Sequence, residues 1–487
     1  MSYSHGTPAV SKHRQPGARA FPSTLARIAL WTVLTVVALS AAKFLDANTS
    51  GVVATVPLVL LSLAAVLHNR QFSLVSALIA SLGLLLISRS VLAPTLLSTT
   101  APLWVSGLVL LALVLHFREV RFPKSTILVA LLSLALVAPT ALQTDMSTTA
   151  KAVGIGAMWL LVFLAAANVR TEHRPRVIAA IIIAAAIQAV LAVLESLLKL
   201  EIVRDLITGS AADKTYIVRD NLILGDWTNR AQGTLGYPIP FAAFLTVGLF
   251  LALLSGVIRS RPWMIAIVLL ITTGIVLSGT RSAAVALAVG LAAWCVSLLI
   301  SARAQRKRLP GLFFAIFATL VVGAAGVAFL VRSILIGDFS LLHRSAVIET
   351  AWGLADLPPL RLLFGSGYNS AQQLFDEGIL STSGLEVIDN ALISQVIASG
   401  LVGLGLLVAV LVLAVKRADI ATRSVLIAIV AFYFFFDVMS WHAMTGVLFI
   451  AVGFAVTTTR EPRTAASGRR RVARPIGEEP LVASDQG

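Results

Sequence analysis

Runs of about 20 apolar residues recur along nearly the whole chain, separated by short polar breaks. About 20 such residues are needed to cross roughly 30 Å of hydrocarbon as a helix. A spanning segment must satisfy its own backbone hydrogen bonds, so the runs are read as helices. The alternating pattern of an outer-membrane barrel is absent. Fourteen spans are predicted, at about 24–42, 51–67, 72–90, 101–117, 125–142, 150–168, 177–197, 238–258, 262–279, 282–301, 311–331, 389–415, 422–437 and 441–458. Arg89 and Pro94 interrupt or flank the third and fourth. The first run is too long, and too poor in small-residue cleavage signals, for a signal peptide, and is expected to remain. The fold class expected is all-α: a polytopic membrane helix bundle of about 12–14 spans.

The polar breaks are uneven. Most are short turns, but residues 333–388 leave room for a folded lid carrying Arg344, Arg361 and Gly365-Ser366-Gly367, just before a helix that opens at Asp389-Asn390. The chain divides into a basic tail over 1–23, scaffold helices over 24–198, a candidate catalytic membrane region over 199–458 that contains the 333–388 loop, and a second basic tail over 459–487. Beyond the seventh span, Leu194, Leu197, Leu198, Ile202 and Leu206 fall on one stripe. Glu195, Lys199 and Glu201 fall largely elsewhere, which predicts an amphipathic helix lying in the membrane interface.

Composition agrees with this layout. The chain is 58% hydrophobic and 13% charged, against about 45–50% and about 25% in soluble domains, and its mean hydropathy is +0.91. With the N-terminus placed in the cytoplasm, the inner loops and tails collect 26 of the 38 basic residues and 7 of the 23 acids. The inner side then carries +19 and the outer side −4, in agreement with the net +15. This is the positive-inside pattern, and it predicts a multi-pass protein of the cytoplasmic membrane with both termini inside. It also explains the pI near 10.8 without nucleic acid as a partner. The single Cys295 lies in a span and supports no disulfide framework, zinc site or thiol nucleophile.

Three outward arginines carry the candidate chemistry: Arg230, Arg281 and Arg344. A guanidinium stays charged and binds phosphate oxygens through paired hydrogen bonds. Fixed around a departing pyrophosphate, such groups stabilise the charge that develops without calling on a metal. Each has a structural alternative as an interfacial anchor or an ion-pair partner. Asp389, next to Asn390, fits a helix N-cap and equally a base that accepts a proton from an attacking hydroxyl. Gly365 and Gly367 read as turn residues or as part of a substrate-binding loop, and Gly400 and Gly403 as sites of close helix packing.

Four pieces in order, RAQGTLGYP at 230–238, SGTRS at 278–282, GSGYN at 365–369 and DN-x9-GxxG at 389–403, resemble the O-antigen ligase and O-antigen polymerase superfamily of integral membrane glycosyltransferases. The resemblance covers roughly 225–410. It implies a glycan donor on undecaprenyl pyrophosphate, and transfer at the outer face of the cytoplasmic membrane to an acceptor hydroxyl on a glycan, lipid or protein. It implies pyrophosphate binding for Arg230 and Arg281; Arg344, Asn390, Gly365 and Gly367 stand beside them as candidate substrate contacts. The ligases usually carry His at the position of Asp389, where it is proposed to activate the acceptor; here the base role falls to a carboxylate. No cofactor and no metal is expected. The rival reading, a lipid-linked glycan flippase or other transporter, predicts charges at mid-bilayer depth and broken helices. The cell-shape and division polymerases of peptidoglycan also have a large outer loop, but their motifs are not seen.

Overall fold

The structure, a computed structural model, describes residues 62–67, 72–88, 96–200, 220–221, 223–305, 352–380 and 388–457. The apolar runs within these residues are helices. They are α1 (Ser73–Ser88), α2 (Leu96–Leu115), α3 (Ser125–Gln143), α4 (Met146–Asn168), α5 (Arg174–Ser196), α6 (Pro238–Leu254), α7 (Arg261–Leu277) and α8 (Arg281–Gln305). Two short helices follow, α9 (Pro359–Phe364) and α10 (Ala371–Asp376), and then α11 (Ala391–Arg417), α12 (Ile420–Phe432) and α13 (His442–Thr457). A small antiparallel hairpin, β1 (Asp220–Asn221) with β2 (Gly225–Asn229), precedes α6. Among the described residues, five helices are long and apolar enough to cross a membrane, and six apolar helices are shorter. The predicted spans at 24–42 and 311–331, most of 51–67, Arg89 and Arg344 lie outside the described residues.

Local chemistry sets the helix ends. Asp145 and Asp419 cap α4 and α12, each accepting the backbone N–H of the third residue on, from Thr148 and Thr422, at 2.8 Å. Only Thr144 and Asp145 separate α3 from α4, and only Ala418 and Asp419 separate α11 from α12, so each pair must run antiparallel. Apolar surface alone does not hold helices together in lipid, and close approach through small residues does. Thus Gly274 of α7 lies where a Cβ would stand 3.0 Å from the Ala189 Cβ of α5, and Gly248 of α6 faces Ala185 one turn away. On the opposite flank α13 packs on α4, with Trp159 stacked on Phe449 at 5.7 Å.

At one end of the bundle, arginines serve the last turns of helices. Arg174 donates to the Phe454 carbonyl at 3.3 Å, and Arg423 donates to the carbonyls of Val415 and Ala418 at 3.0 and 2.9 Å. Carbonyls in a last turn have no intrahelical donor, so a cation is well placed there.

The stripe predicted at 194–206 is interrupted: α5 stops at Ser196 and Lys199 turns with φ 53°, while Ile202 and Leu206 lie outside the described residues. Glu195 is buried in the last turn of α5 and does not face the interface. Gly400 does allow close packing, against the Leu363 and Phe364 backbone of α9, but it does so outside helical geometry: α11 breaks there, with φ 68° and ψ −174°. Gly403, one turn further on, leaves room for the Ser399 side chain.

Candidate active site

The end of the bundle away from Arg174 and Arg423 collects the N-termini of α6, α8, α11 and α13, and between them the chain folds back on itself. Residues 230–237 form a turn that dips beside α5. Four successive backbone donors in it have partners. Ala231 N–H donates to the Leu277 carbonyl at 3.0 Å, and Gln232 and Gly233 N–H both donate to Glu195 Oε2 at 3.0 Å. Thr234 N–H donates to Gln188 Oε1 at 3.0 Å, and Gln188 Nε2 returns a bond to Thr234 Oγ1. Gln188 and Glu195 are two helical turns apart on one face of α5, about 10 Å along its axis. Irregular backbone at membrane depth survives only where protein satisfies it or where it lines a cavity, and here two polar side chains of a spanning helix supply the acceptors. Gly233, with φ 51°, packs against Gln188 and the Phe241 ring, where a side chain has no room.

This turn places Arg230 against the connection between α7 and α8. Its Nε donates to the Ser278 carbonyl at 3.0 Å, and its Nη2 lies 3.4 Å from Thr280 Oγ1. Thr280 in turn donates to the Pro238 carbonyl at 3.1 Å, which ties the start of α6 to the same connection. Arg281 follows directly as the first residue of α8. Two arginines distant in sequence therefore share one locus, both half-buried, at the N-terminal ends of two helices. Helix N-termini present a positive dipole end and favour anions.

The second pair of motifs meets elsewhere on the same end. Ser366 and Gly367 N–H donate to the Ile397 and Ala398 carbonyls at 2.7 and 3.1 Å. A continuous helix gives those carbonyls to residues 401 and 402; the break at Gly400 releases them to the lid. A Cβ on Gly365 would sit 2.5 Å from the Ala398 carbonyl oxygen, and one on Gly367 would sit 2.8 Å from the Thr140 Cα of α3. Both glycines have positive φ, 86° and 96°. They face backbone, and a close approach is what they make possible. Asn369 takes φ 62°, a conformation Asn tolerates better than most residues. Gln143 and Thr140 of α3 secure the loop further, through the Gly365 carbonyl at 3.0 Å and the Tyr368 N–H at 2.8 Å. Leu354, Leu357, Leu374 and Leu380 bury a small second core with Ile388, Val396 and Ile397. The lid therefore rests on the first turns of α11.

Asn390, and not Asp389, caps α11: its Oδ1 accepts from Leu392 N–H and Ile393 N–H at 3.0 and 3.2 Å. Asp389 stands one residue outside the helix, half-exposed. The segment 433–441 then links this corner to the arginine locus. The Tyr433 carbonyl accepts the Ala391 N–H at 2.8 Å, Asp437 accepts from Met439 N–H and Ser440 Oγ, and Trp441 stacks on Tyr237, next to Pro238. The Gln188–Glu195 pair is not among the residues predicted for the site. The pair left a trace in the sequence, since two polar residues seven apart in an apolar span share a helical face.

Comparison with protein-family models and with curated proteins finds no match. Among the described residues, no three His, Cys, Asp or Glu side chains gather to hold a metal ion. Arg344 lies outside the described residues, and Cys295 is buried in α8.

Proposed function

We propose that this membrane protein is an inverting glycosyltransferase of the O-antigen ligase or polymerase type. It moves a glycan from undecaprenyl pyrophosphate to an acceptor hydroxyl on a glycan, lipid or protein at the outer face of the cytoplasmic membrane. The observation that carries the reading is the shared locus of Arg230 and Arg281, brought together through Ser278 and Thr280. In the proposed reaction the acceptor oxygen attacks the anomeric carbon and the bond from that carbon to the phosphate oxygen breaks. The hydroxyl proton passes to the Asp389 carboxylate, and undecaprenyl pyrophosphate leaves with the bonding electron pair. Charge grows on the pyrophosphate as the bond breaks, so fixed guanidinium groups stabilise the transition state more than the ground state. A single donor of this kind is worth about 10²–10³ in rate.

The purified chain in detergent, supplied with labelled undecaprenyl-pyrophosphate glycan and acceptor, is expected to form a new glycosidic bond. No product from any acceptor class would remove the enzymatic reading. One feature favours the transporter alternative, namely the break of α11 at Gly400, since transporters interrupt helices at their sites. Its freed carbonyls, however, are taken by the lid backbone. Movement of labelled lipid-linked glycan across liposomes without bond formation would favour the flippase.

A further inference from the structure

We infer that Tyr237 and Trp441 form the platform for the sugar ring adjacent to the pyrophosphate; this rests on the pyrophosphate reading of the arginine locus. The two rings stack at 6.1 Å between centroids and 27° between planes, and both are half-exposed. Tyr237 is one residue from the Pro238 carbonyl that receives the Thr280 hydroxyl, and Thr280 is also where Arg230 reaches. The aromatic pair therefore borders the place assigned to the diphosphate. In the donor, one oxygen alone separates the anomeric carbon from phosphorus, so the first sugar ring must lie beside that place as well. A pyranose presents a face of C–H bonds, which suits the electron-rich face of an aromatic ring, while its hydroxyls stay at the rim.

The platform is held before any ligand arrives. Trp441 N–H donates to the Val438 carbonyl at 3.1 Å, and the Trp441 carbonyl accepts both the N–H and the hydroxyl of Thr445 at 2.9 and 3.0 Å. Tyr237 is set between Gly236, at φ 69°, and the proline that opens α6. With the backbone fixed and the rings stacked on each other, the pair has little freedom left to lose on binding. The competing role for interfacial aromatics is a headgroup-level anchor in lipid. An anchor acts on the polyprenyl chain or the bilayer and is indifferent to the sugar, which gives the experiment its contrast.

The test compares binding of two probes by the full chain in nanodiscs: undecaprenyl pyrophosphate, and the same carrier bearing one N-acetylhexosamine. Wild type is expected to bind both, the sugar-bearing probe about tenfold more tightly. Trp441→Ala is expected to lose that preference and keep its affinity for the bare carrier, while Trp441→Phe retains most of the preference. Tyr237→Leu provides a second reading should Trp441→Ala fail to give a monodisperse protein. Equal weakening for both probes, or an unchanged preference, overturns the platform and leaves the arginine locus standing. Failure of wild type to bind either probe overturns the pyrophosphate reading itself, and the platform with it.

Discussion

Two pairs of motifs fold onto each other at the same end of this bundle, and they are joined in different ways. The pair at 230–238 and 278–282 meets through side chains: a guanidinium on a carbonyl and a hydroxyl, and a carboxylate and an amide from α5 on the backbone of the turn. The pair at 365–369 and 389–403 meets through backbone amides and carbonyls, with glycines clearing the space. The first arrangement keeps its two arginines half-exposed over the buried Glu195, while the second buries its backbone polar groups in the joint itself. Motifs of similar appearance, rich in glycine and small polar residues, thus gather charged side chains in one place and close a backbone joint in the other.

The largest effect that sharpens this contrast is expected at the joint. Gly400→Val adds a side chain at positive φ against the Leu363 backbone and is expected to cost roughly 3–5 kcal/mol. It should abolish recovery of folded protein on size exclusion, while Gly405→Ala, with open space around it, behaves as wild type. Next comes the arginine locus. Arg281→Ala is expected to lower glycan transfer by about 100-fold or more at unchanged protein level; wild-type transfer by that variant would erase the distinction between the two pairs. Glu195→Ala strips the acceptor from two buried amides and is expected to cost about 2 kcal/mol in a detergent melt, with Glu195→Gln recovering most of it. Asn390→Ala should cost about 1 kcal/mol through the lost cap, and Asn390→Asp little. Smallest is Arg361→Ala, which opens the exposed 2.9 Å pair with Glu377 for less than about 1 kcal/mol. A large loss there would mean that the lid, too, depends on side-chain charge.

The spanning helices were legible because length and apolarity decide them without reference to neighbours. The 72–90, 125–142, 177–197 and 389–415 runs all lie on helices with ends shifted by a few residues. The descending turn was not legible, since its amides find partners, Gln188 and Glu195, forty residues earlier. A sequence pattern at 194–206 pointed Glu195 toward the interface when tertiary contact turned it inward. The break at Gly400 was hidden for a related reason: the residues around it are as apolar as any span, and only the lid's approach makes the non-helical conformation worthwhile. Arg230 and Arg281 were singled out because the predicted layout collects most basic residues on the other side, and their convergence required the fold.

The interruption at Gly400 also divides α11 mechanically. An unbroken rod carries bending along its ladder of hydrogen bonds, but here two rungs have been handed to residues 366 and 367. The nine-residue piece is therefore splinted to the lid as well as joined to the seventeen-residue piece that follows it. Because Thr140 and Gln143 grip the same loop, a tilt of that piece would strain α3 too, so the break ties three segments into one brace.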